Sequence, residues 1–187
     1  MDLTNIENDL DIRESHNNKC VLNPINNNIN NNINNNIDNI LNLIDNNQNG
    51  RDVISFIIKI CNNVFNTLGK GFNECIYHKA ILVDLYKTQY QIETKKIIPI
   101  EYNGINVGYV ESDVIVYDSE NDIMIIIELK AQTNDLSYKE KFQVQKYINH
   151  INYNIDKKNI IGLVVNFSQK NNTCLEVQNV EVYNVEN

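Results

Sequence analysis

The chain has 187 residues and a formal net charge of −8, from 16 basic and 24 acidic side chains. That length suits one domain with extensions and is enough to bury a hydrophobic core. No apolar stretch reaches the length of a transmembrane helix and no basic-then-apolar signal opens the chain, so we expect an intracellular protein of the cytoplasm or nucleus, neither secreted nor membrane-bound.

Two features of the composition bear on source and compartment. Asn is heavily over-used together with Ile, Lys and Tyr, while Trp is absent and only 2 Pro occur. This bias indicates an AT-rich coding source, such as a virus or a protist. The 4 cysteines are scattered without a C-x-x-C spacing, which favours free thiols in a reducing compartment over a zinc site or a disulfide framework.

The negative charge is concentrated at the two ends of the chain. Residues 1–50 have a net charge of −5 and residues 171–187 a net charge of −3, whereas residues 51–170 hold 14 basic and 14 acidic side chains. The middle is itself polarised, since 71–128 has 10 acidic and 4 basic residues and 130–170 has 3 acidic and 7 basic residues. A total of −8 argues against a nucleic-acid partner, but the lysine-rich part of the middle keeps that partner open.

Residues 1–50 are predicted to be an Asn-rich, low-complexity N-terminal extension, and residues 51–187 the folded domain. Isoleucines at 25, 29, 33 and 37 recur at intervals of four, which would form a narrow apolar stripe on a helix. Asn is a poor helix former, so disorder or a weak helix is favoured over a coiled coil. We interpret residues 45–50 as the linker into the domain.

Two helices are predicted at the start of the domain. Apolar residues recur at helical spacing over 51–68, and Gly69 supplies a stop. A second helix is predicted over 73–89. Its predicted core-facing residues are Ile76, Tyr77, Ala80 and Val83, with Leu82 and Tyr86 as further candidates.

Alternating and continuous apolar runs then predict strands. The first strand covers 91–102 and the second 105–118, joined by a tight hairpin turn at Asn103–Gly104. A turn at 119–122 leads into a third strand, whose apolar run at 123–127 is typical of burial on both faces.

A third helix and two more strands complete the predicted domain. The helix covers 136–153, and the strands cover 160–167 and 174–183. The predicted core-facing residues of this helix are Phe142, Val144, Tyr147, Ile148 and Ile151. The order α-α-β-β-β-α-β-β predicts an α/β or α+β domain with a mixed central sheet.

Opposite charges stand at the end of the buried third strand. Glu128 and Lys130 project from the same face, because side chains alternate along a strand. The antiparallel second strand brings Asp113 beside them. Two carboxylates suit Mg²⁺ or Mn²⁺, and Lys130 would then stabilise charge on an attacking water or on phosphorus. The alternatives are a surface ion pair for Glu128 and Lys130 and a strand-ending role for Asp113.

The pattern Asp…Glu-x-Lys at the ends of adjacent strands resembles the PD-(D/E)xK, or restriction-endonuclease-like, nucleases. A second motif, GFNECIY at 71–77, matches the G-x-x-E-x-x-Y pattern after which a small family of that superfamily is named. Segments that agree in order and spacing are LGKGFNECIYHKAIL, IPIEYNGINVGY, SDVIV, IIIELKA, FQVQKYI and IGLVVNF. The resemblance covers residues 51–170 and implies an αβββαβ core flanked by helices.

This resemblance also implies roles for individual residues. Asp113 and Glu128 would be metal ligands for Mg²⁺ or Mn²⁺, and Lys130 the catalytic lysine. Glu74 would be a further ligand, directly or through water, although a carboxylate in a first helical turn is favoured whatever its function. Gln143 matches a supporting polar group on the helix after the third strand.

The sequence departs from the family pattern at two positions. Glu111 stands where a basic residue before the aspartate is usual, and Glu140 stands where a histidine is common. Both changes add negative charge, which bears on contact with a nucleic-acid backbone. The candidate nucleic-acid contacts are Lys139, Lys141, Lys146 and Tyr147, for which a solvated helix face and core packing are the alternative interpretations.

The favoured function is a metal-dependent nuclease that hydrolyses phosphodiester bonds with an activated water, with DNA favoured over RNA as the substrate. The alternative is a nuclease-fold module that binds nucleic acid or a protein partner without cutting. The joint presence of Asp113, Glu128 and Lys130 favours the first, whereas the acidic tails and the scarcity of Arg favour the second. A homodimer is compatible with double-strand cleavage, but no residue pattern supports it.

Overall fold

The part of the chain described by the computed structural model comprises residues 48–154, 159–170 and 175–180. The predicted N-terminal extension up to residue 47 lies outside it, as do Cys20, Cys174 and the end of the predicted last strand beyond residue 180. None of the helices in the described part has the length and apolar composition that crossing a membrane requires.

Helices and strands follow the predicted order along the described chain. They are α1 (Gln48–Leu68), α2 (Glu74–Leu85), β1 (Gln91–Tyr102), β2 (Ile105–Asp118), β3 (Ile123–Lys130), α3 (Tyr138–Asn154), β4 (Ile160–Asn166) and β5 (Glu176–Val180).

All the strands of the described chain form one mixed sheet in the order β1-β2-β3-β4-β5. Neighbours are antiparallel except β3 and β4, which run parallel because α3 carries the chain back across the sheet between them. This confirms the predicted α/β class, with a mixed central sheet flanked by helices as in the restriction-endonuclease-like core.

The hairpin between β1 and β2 has a tight turn and a bulge. Asn103 and Gly104 have φ angles of 51° and 74°, the positive values that a two-residue type I′ turn requires. The register then shifts by one residue between Ile100 and Glu101. Such a bulge changes which residue of β1 lies opposite each residue of β2 from that point on.

The core has two layers, one on each face of the sheet. α1 and α2 pack on one face through side chains such as Ile57 and Ile81. α3 packs on the other face through Val144 and Ile148. β3 is buried from Ile123 to Leu129, as its apolar run predicts, because it lies between both layers.

Helix α2 differs from its prediction in length and in orientation. It ends at Leu85, not at 89, and buries Tyr77, Ile81 and Leu85. Apolar residues occur on several faces of this helix, so their spacing does not single out the buried face. Three residues predicted to face the core are exposed instead: Ile76, Val83 and Tyr86.

The other two helices also differ in detail from their predictions. α1 begins at Gln48, so the predicted linker 45–50 is wrong over its last three residues. α3 begins at Tyr138, and Phe142, predicted to face the core, is 61 % exposed. Phe142 lies one turn from the exposed Tyr138, with 6.4 Å between the ring centroids.

Among the described glycines, Gly162 of β4 lies closest to the side chains of α3. A Cβ atom there would lie 2.7 Å from Val144 Cγ1 and 2.9 Å from Ile148 Cδ1. The absent side chain therefore lets the helix pack directly on the strand.

We predict that Gly162→Ala lowers the free energy of unfolding by about 1–3 kcal/mol, because an added methyl group overpacks this contact. Urea denaturation measures the change. Gly108→Ala is the matched control, since a Cβ at Gly108 meets nothing within 4 Å. Equal stabilities of the two variants would contradict the prediction.

Candidate active site

The middle of β2 and the end of β3 bring two buried carboxylates together. The last residue pair of these strands at this end is Val114 with Ile127, which leaves Asp113 and Glu128 as the next residues along each strand. Asp113 is 5 % exposed and Glu128 is 3 % exposed. The backbone N–H of Leu129 donates to Asp113 Oδ2 at 2.9 Å, which fixes one carboxylate against the neighbouring strand.

One oxygen of Glu128 is held by two donors. Lys130 Nζ donates to Oε1 at 2.5 Å, and Gln143 Nε2 of α3 donates to the same atom at 2.7 Å. Gln143 also donates to the hydroxyl of Tyr147 at 2.6 Å. In the described part of the chain, the buried Oε2 atom of Glu128 has no hydrogen-bond partner.

The unpartnered oxygen belongs to a carboxyl group that is costly to ionise. Burial, followed by repulsion from Asp113, raises the pKa of Glu128 to about 7, even though Lys130 acts in the opposite direction. Burial lowers the pKa of Lys130, but its contacts with Glu128 and Glu74 outweigh this and leave that pKa above its ordinary value. Lys130 thus faces two carboxylates, Glu128 and Glu74, and cannot neutralise both.

The G-x-x-E-x-x-Y segment forms the loop that leads into α2. Gly71 has a φ angle of 96°, which only glycine adopts readily, and its N–H donates to Gln169 Oε1 at 2.6 Å. The hydroxyl of Tyr77 donates to the Gly69 carbonyl at 2.7 Å. The Tyr77 ring stacks on Phe167, just after β4, with centroids 4.4 Å apart and planes 9° apart.

These contacts tie the start of α2 to the end of β4 and place Glu74 at the edge of the site. Glu74 Oε2 lies 4.0 Å from Lys130 Nζ, and partial burial raises the pKa of Glu74. His78 Nε2, one turn later, lies 3.2 Å from the Asp113 carbonyl oxygen. Among the described residues, no three His, Cys, Asp or Glu side chains are grouped closely enough to hold one metal ion. The predicted direct ligation by Glu74 is therefore not seen, and ligation through water stays a prediction.

Lys95 is a member of the site that the sequence analysis missed. It stands on β1 opposite Asp113, and its Nζ donates to Asp113 Oδ1 at 2.5 Å. It has a positive φ angle of 52°, and a second contact joins it to Glu111 Oε1 at 3.5 Å. Each buried carboxylate is thus paired with one lysine, Asp113 with Lys95 and Glu128 with Lys130.

Both departures from the family pattern have structural explanations. Glu111 pairs with Lys95, so the positive charge beside Asp113 comes from β1 instead of from position 111. Glu140 accepts from the backbone N–H of Ser137 at 2.8 Å and from its hydroxyl at 2.6 Å. Ser137 and Glu140 form a capping box, which begins helix α3.

The predicted nucleic-acid contacts separate into two groups. Lys139 and Lys146 are exposed on α3, and Lys141 is half-buried with its Nζ 6.0 Å from the Tyr138 ring centroid. Tyr147 is 2 % exposed and packs in the core layer under α3. The prediction of a base contact is wrong for Tyr147, because its buried ring offers no face for stacking. Its hydroxyl instead contacts Gln143.

The mixed sheet, the helices on its two faces and the polar residues on β2 and at the end of β3 define an α/β protein of the restriction-endonuclease-like class. A family model described as the PD-(D/E)XK nuclease superfamily matches residues 51–179. The chain belongs to the PD-(D/E)XK nuclease superfamily, and this membership indicates nuclease activity. No curated protein and no solved structure gives a significant match.

The raised pKa of Glu128 predicts how the stability of the fold depends on pH. Its pKa is about 7 in the folded protein against an ordinary value of 4.5, so the folded state binds this proton more tightly than the unfolded chain. The stability from this group is complete below pH 4.5 and is lost as the pH rises through 7, an effect of about 3 kcal/mol. Glu128→Gln removes the ionisation and keeps an oxygen for Lys130.

Without divalent metal, we expect Glu128→Gln to exceed the wild type in free energy of unfolding by up to about 3 kcal/mol at pH 8, and by much less at pH 5. Urea denaturation at both pH values measures the difference. Glu101→Gln, at an exposed position of the hairpin, should match the wild type at both. A stability gap for Glu128→Gln that does not grow with pH would refute the assignment.

Proposed function

We propose that this chain is a nuclease of the GxxExxY family that hydrolyses DNA with the help of Mg²⁺ or Mn²⁺. The observation that carries the proposal is the buried pair Asp113 and Glu128, with an unpartnered Glu128 oxygen. The raised pKa of the buried Glu128 disfavours its ionised state, and a bound divalent cation would reverse that. The hydrogen bonds and the ring stacking that hold the loop around Gly71 and Tyr77 support the family assignment.

The donor set fits a hard divalent cation. Mg²⁺ and Mn²⁺ prefer oxygen ligands, and Mg²⁺ is usually held by one or two carboxylates together with water and substrate phosphate. Asp113 and Glu128 would supply those two carboxylates. Such an ion would supply Lewis-acid activation of water and neutralise charge on the phosphate.

The remaining residues of the site would act on protons and charge. Lys130 holds its Nζ next to Glu128, where it would stabilise a hydroxide nucleophile or the charge that develops on the phosphorus oxygens. Gln143, oriented by Tyr147, would keep Glu128 in place as the phosphodiester bond is attacked. Glu74 would act on the water network through Lys130.

The substrate would approach along the start of α3. Lys139, Lys141 and Lys146 would contact phosphates, and the exposed rings of Tyr138 and Phe142 replace Tyr147 as the surfaces available to bases. Residues 51–187 would form the nuclease domain, and residues 1–50 an extension outside it. The family match, which begins at residue 51, supports this division.

The decisive experiment is cleavage of labelled single-stranded, double-stranded and branched DNA, with RNA alongside, in Mg²⁺, Mn²⁺ or EDTA. We expect metal-dependent cutting that Asp113→Asn abolishes and Lys130→Met slows by at least about 100-fold. Lys96→Met is the matched control, because Lys96 pairs with Glu93 at 2.6 Å, outside the proposed metal-binding pair. Cutting that persists in Asp113→Asn would assign the activity elsewhere, and a wild type that binds DNA without cutting would indicate a non-cleaving module.

A second prediction concerns Lys95, whose ammonium group competes with a cation for Asp113. We expect Lys95→Met to bind Mn²⁺ about 3–10-fold more tightly than the wild type, because the variant loses both a competing partner and a repelling charge. Titration calorimetry measures this without any substrate. Lys96→Met should bind Mn²⁺ like the wild type, whereas unchanged or weaker binding by Lys95→Met would rule out competition at Asp113.

A further inference from the structure

Residues 167–170, which directly follow β4, lie against the end of β3; we call them the post-β4 segment. The N–H of Phe167 donates to the Lys130 carbonyl oxygen at 2.8 Å, and the N–H of Gln169 donates to the Gln132 carbonyl oxygen at 3.0 Å. Because its backbone is bonded to β3 and to the residues after β3, this segment has a fixed place beside Lys130.

The side chain of Gln169 connects the post-β4 segment to the loop before α2. Its Oε1 atom accepts from the N–H of Gly71 at 2.6 Å. Its Nε2 atom donates to the Phe167 carbonyl oxygen at 2.6 Å and to the Tyr77 hydroxyl at 3.3 Å. A glutamine amide offers an acceptor at one end and donors at the other, and in Gln169 both ends are bonded. These bonds fix the orientation of the amide between the two segments.

The loop of residues 69–73 has a second contact with the post-β4 segment, from Lys70 Nζ to the Lys170 carbonyl oxygen. Asn73, the N-cap residue of α2, makes no side-chain capping hydrogen bond in the described structure. The start of α2 is therefore not fixed by its own N-cap side chain, so the contacts of the loop determine where it lies.

Glu74 is the first residue of α2, so its place in the site depends on this loop. Its Oε2 atom lies 4.0 Å from Lys130 Nζ, beyond hydrogen-bond length. Lys130 contacts Glu128 at 2.5 Å at the same time. A shift of about 1 Å at the start of α2 would therefore change how Lys130 is shared between the two carboxylates, and shifts of that size alter reaction rates.

We propose that Gln169 is a positioning residue, which holds the loop of residues 69–73 on the post-β4 segment and thereby sets the position of Glu74 relative to Lys130. The hydrogen bonds of the Gln169 side chain go to the loop, to Tyr77 and to the segment itself, so its effect on the reaction passes through Glu74. This inference rests on the proposed nuclease function, in which Glu74 acts through Lys130.

The first test is a double-mutant cycle on the cleavage of labelled DNA by the full chain in Mn²⁺. Gln169→Met keeps the length of the side chain and removes its amide hydrogen bonds. We expect it to lower kcat by about 10-fold with little change in KM, because it misplaces Glu74. In a Glu74→Gln background the same substitution should change kcat by less than about 2-fold. Gln145→Met is the matched control, because Gln145 donates to Asn149 Oδ1 within α3.

The second test uses the metal-free protein and does not depend on cutting. Hydrogen exchange at the Gly71 amide, followed by NMR, reports on its hydrogen bond to Gln169. We expect this exchange to be about 5-fold faster in Gln169→Met than in the wild type, which corresponds to the loss of one hydrogen bond. Exchange at Ile81, inside α2, should be unchanged, because the helix itself stays folded.

The outcomes separate the role of Gln169 from the proposed function. A loss of kcat that disappears in the Glu74→Gln background, with faster exchange at Gly71 and not at Ile81, supports the positioning role. A wild type that cuts and a Gln169→Met variant that cuts equally well overturn this role and leave the nuclease function standing. An undiminished effect in the Glu74→Gln background, or faster exchange throughout α2, overturns it too. A wild type that cuts no DNA overturns both proposals.

Discussion

The burial of two carboxylates, one inside β2 and one near the end of β3, is the constraint around which this structure is organised. Burial makes Glu128 costly to ionise and repulsion from Asp113 adds to that cost, so the pKa of Glu128 is raised. Lys95 and Lys130 offset part of it from opposite sides. Folding therefore holds Glu128 where its ionised form is disfavoured, which is unfavourable for stability alone and useful for binding a cation.

Structure on both faces of the sheet holds this pair in place. On one face, Tyr77 stacks on Phe167 and thereby connects the loop before Glu74 to β4. On the other, Tyr147 anchors Gln143, which reaches Glu128. The two tyrosines are buried side chains that act through their hydroxyl groups. Both tyrosines therefore support the site from inside the core.

Much of the fold and the central pair follow from local patterns. Alternation and the Asn-Gly turn determine β1, β2 and β3, and antiparallel pairing then places Asp113 beside Glu128. Lys95 does not follow, because counting from the turn pairs position 95 with position 112. The bulge at Ile100 adds one residue, and only then does Lys95 stand opposite Asp113.

The sequence also does not show which apolar residues of the helices point towards solvent. Val83, Tyr86 and Phe142 have the composition of core residues, and helical spacing alone does not tell a buried face from an interaction face. The site also depends on the segment that joins β3 to β4. α3 carries the chain between these parallel strands and places Gln143 on Glu128. Folding therefore encloses a carboxyl group that prefers to be protonated, and between pH 4.5 and 7 the chain takes up a proton at Glu128 as it folds.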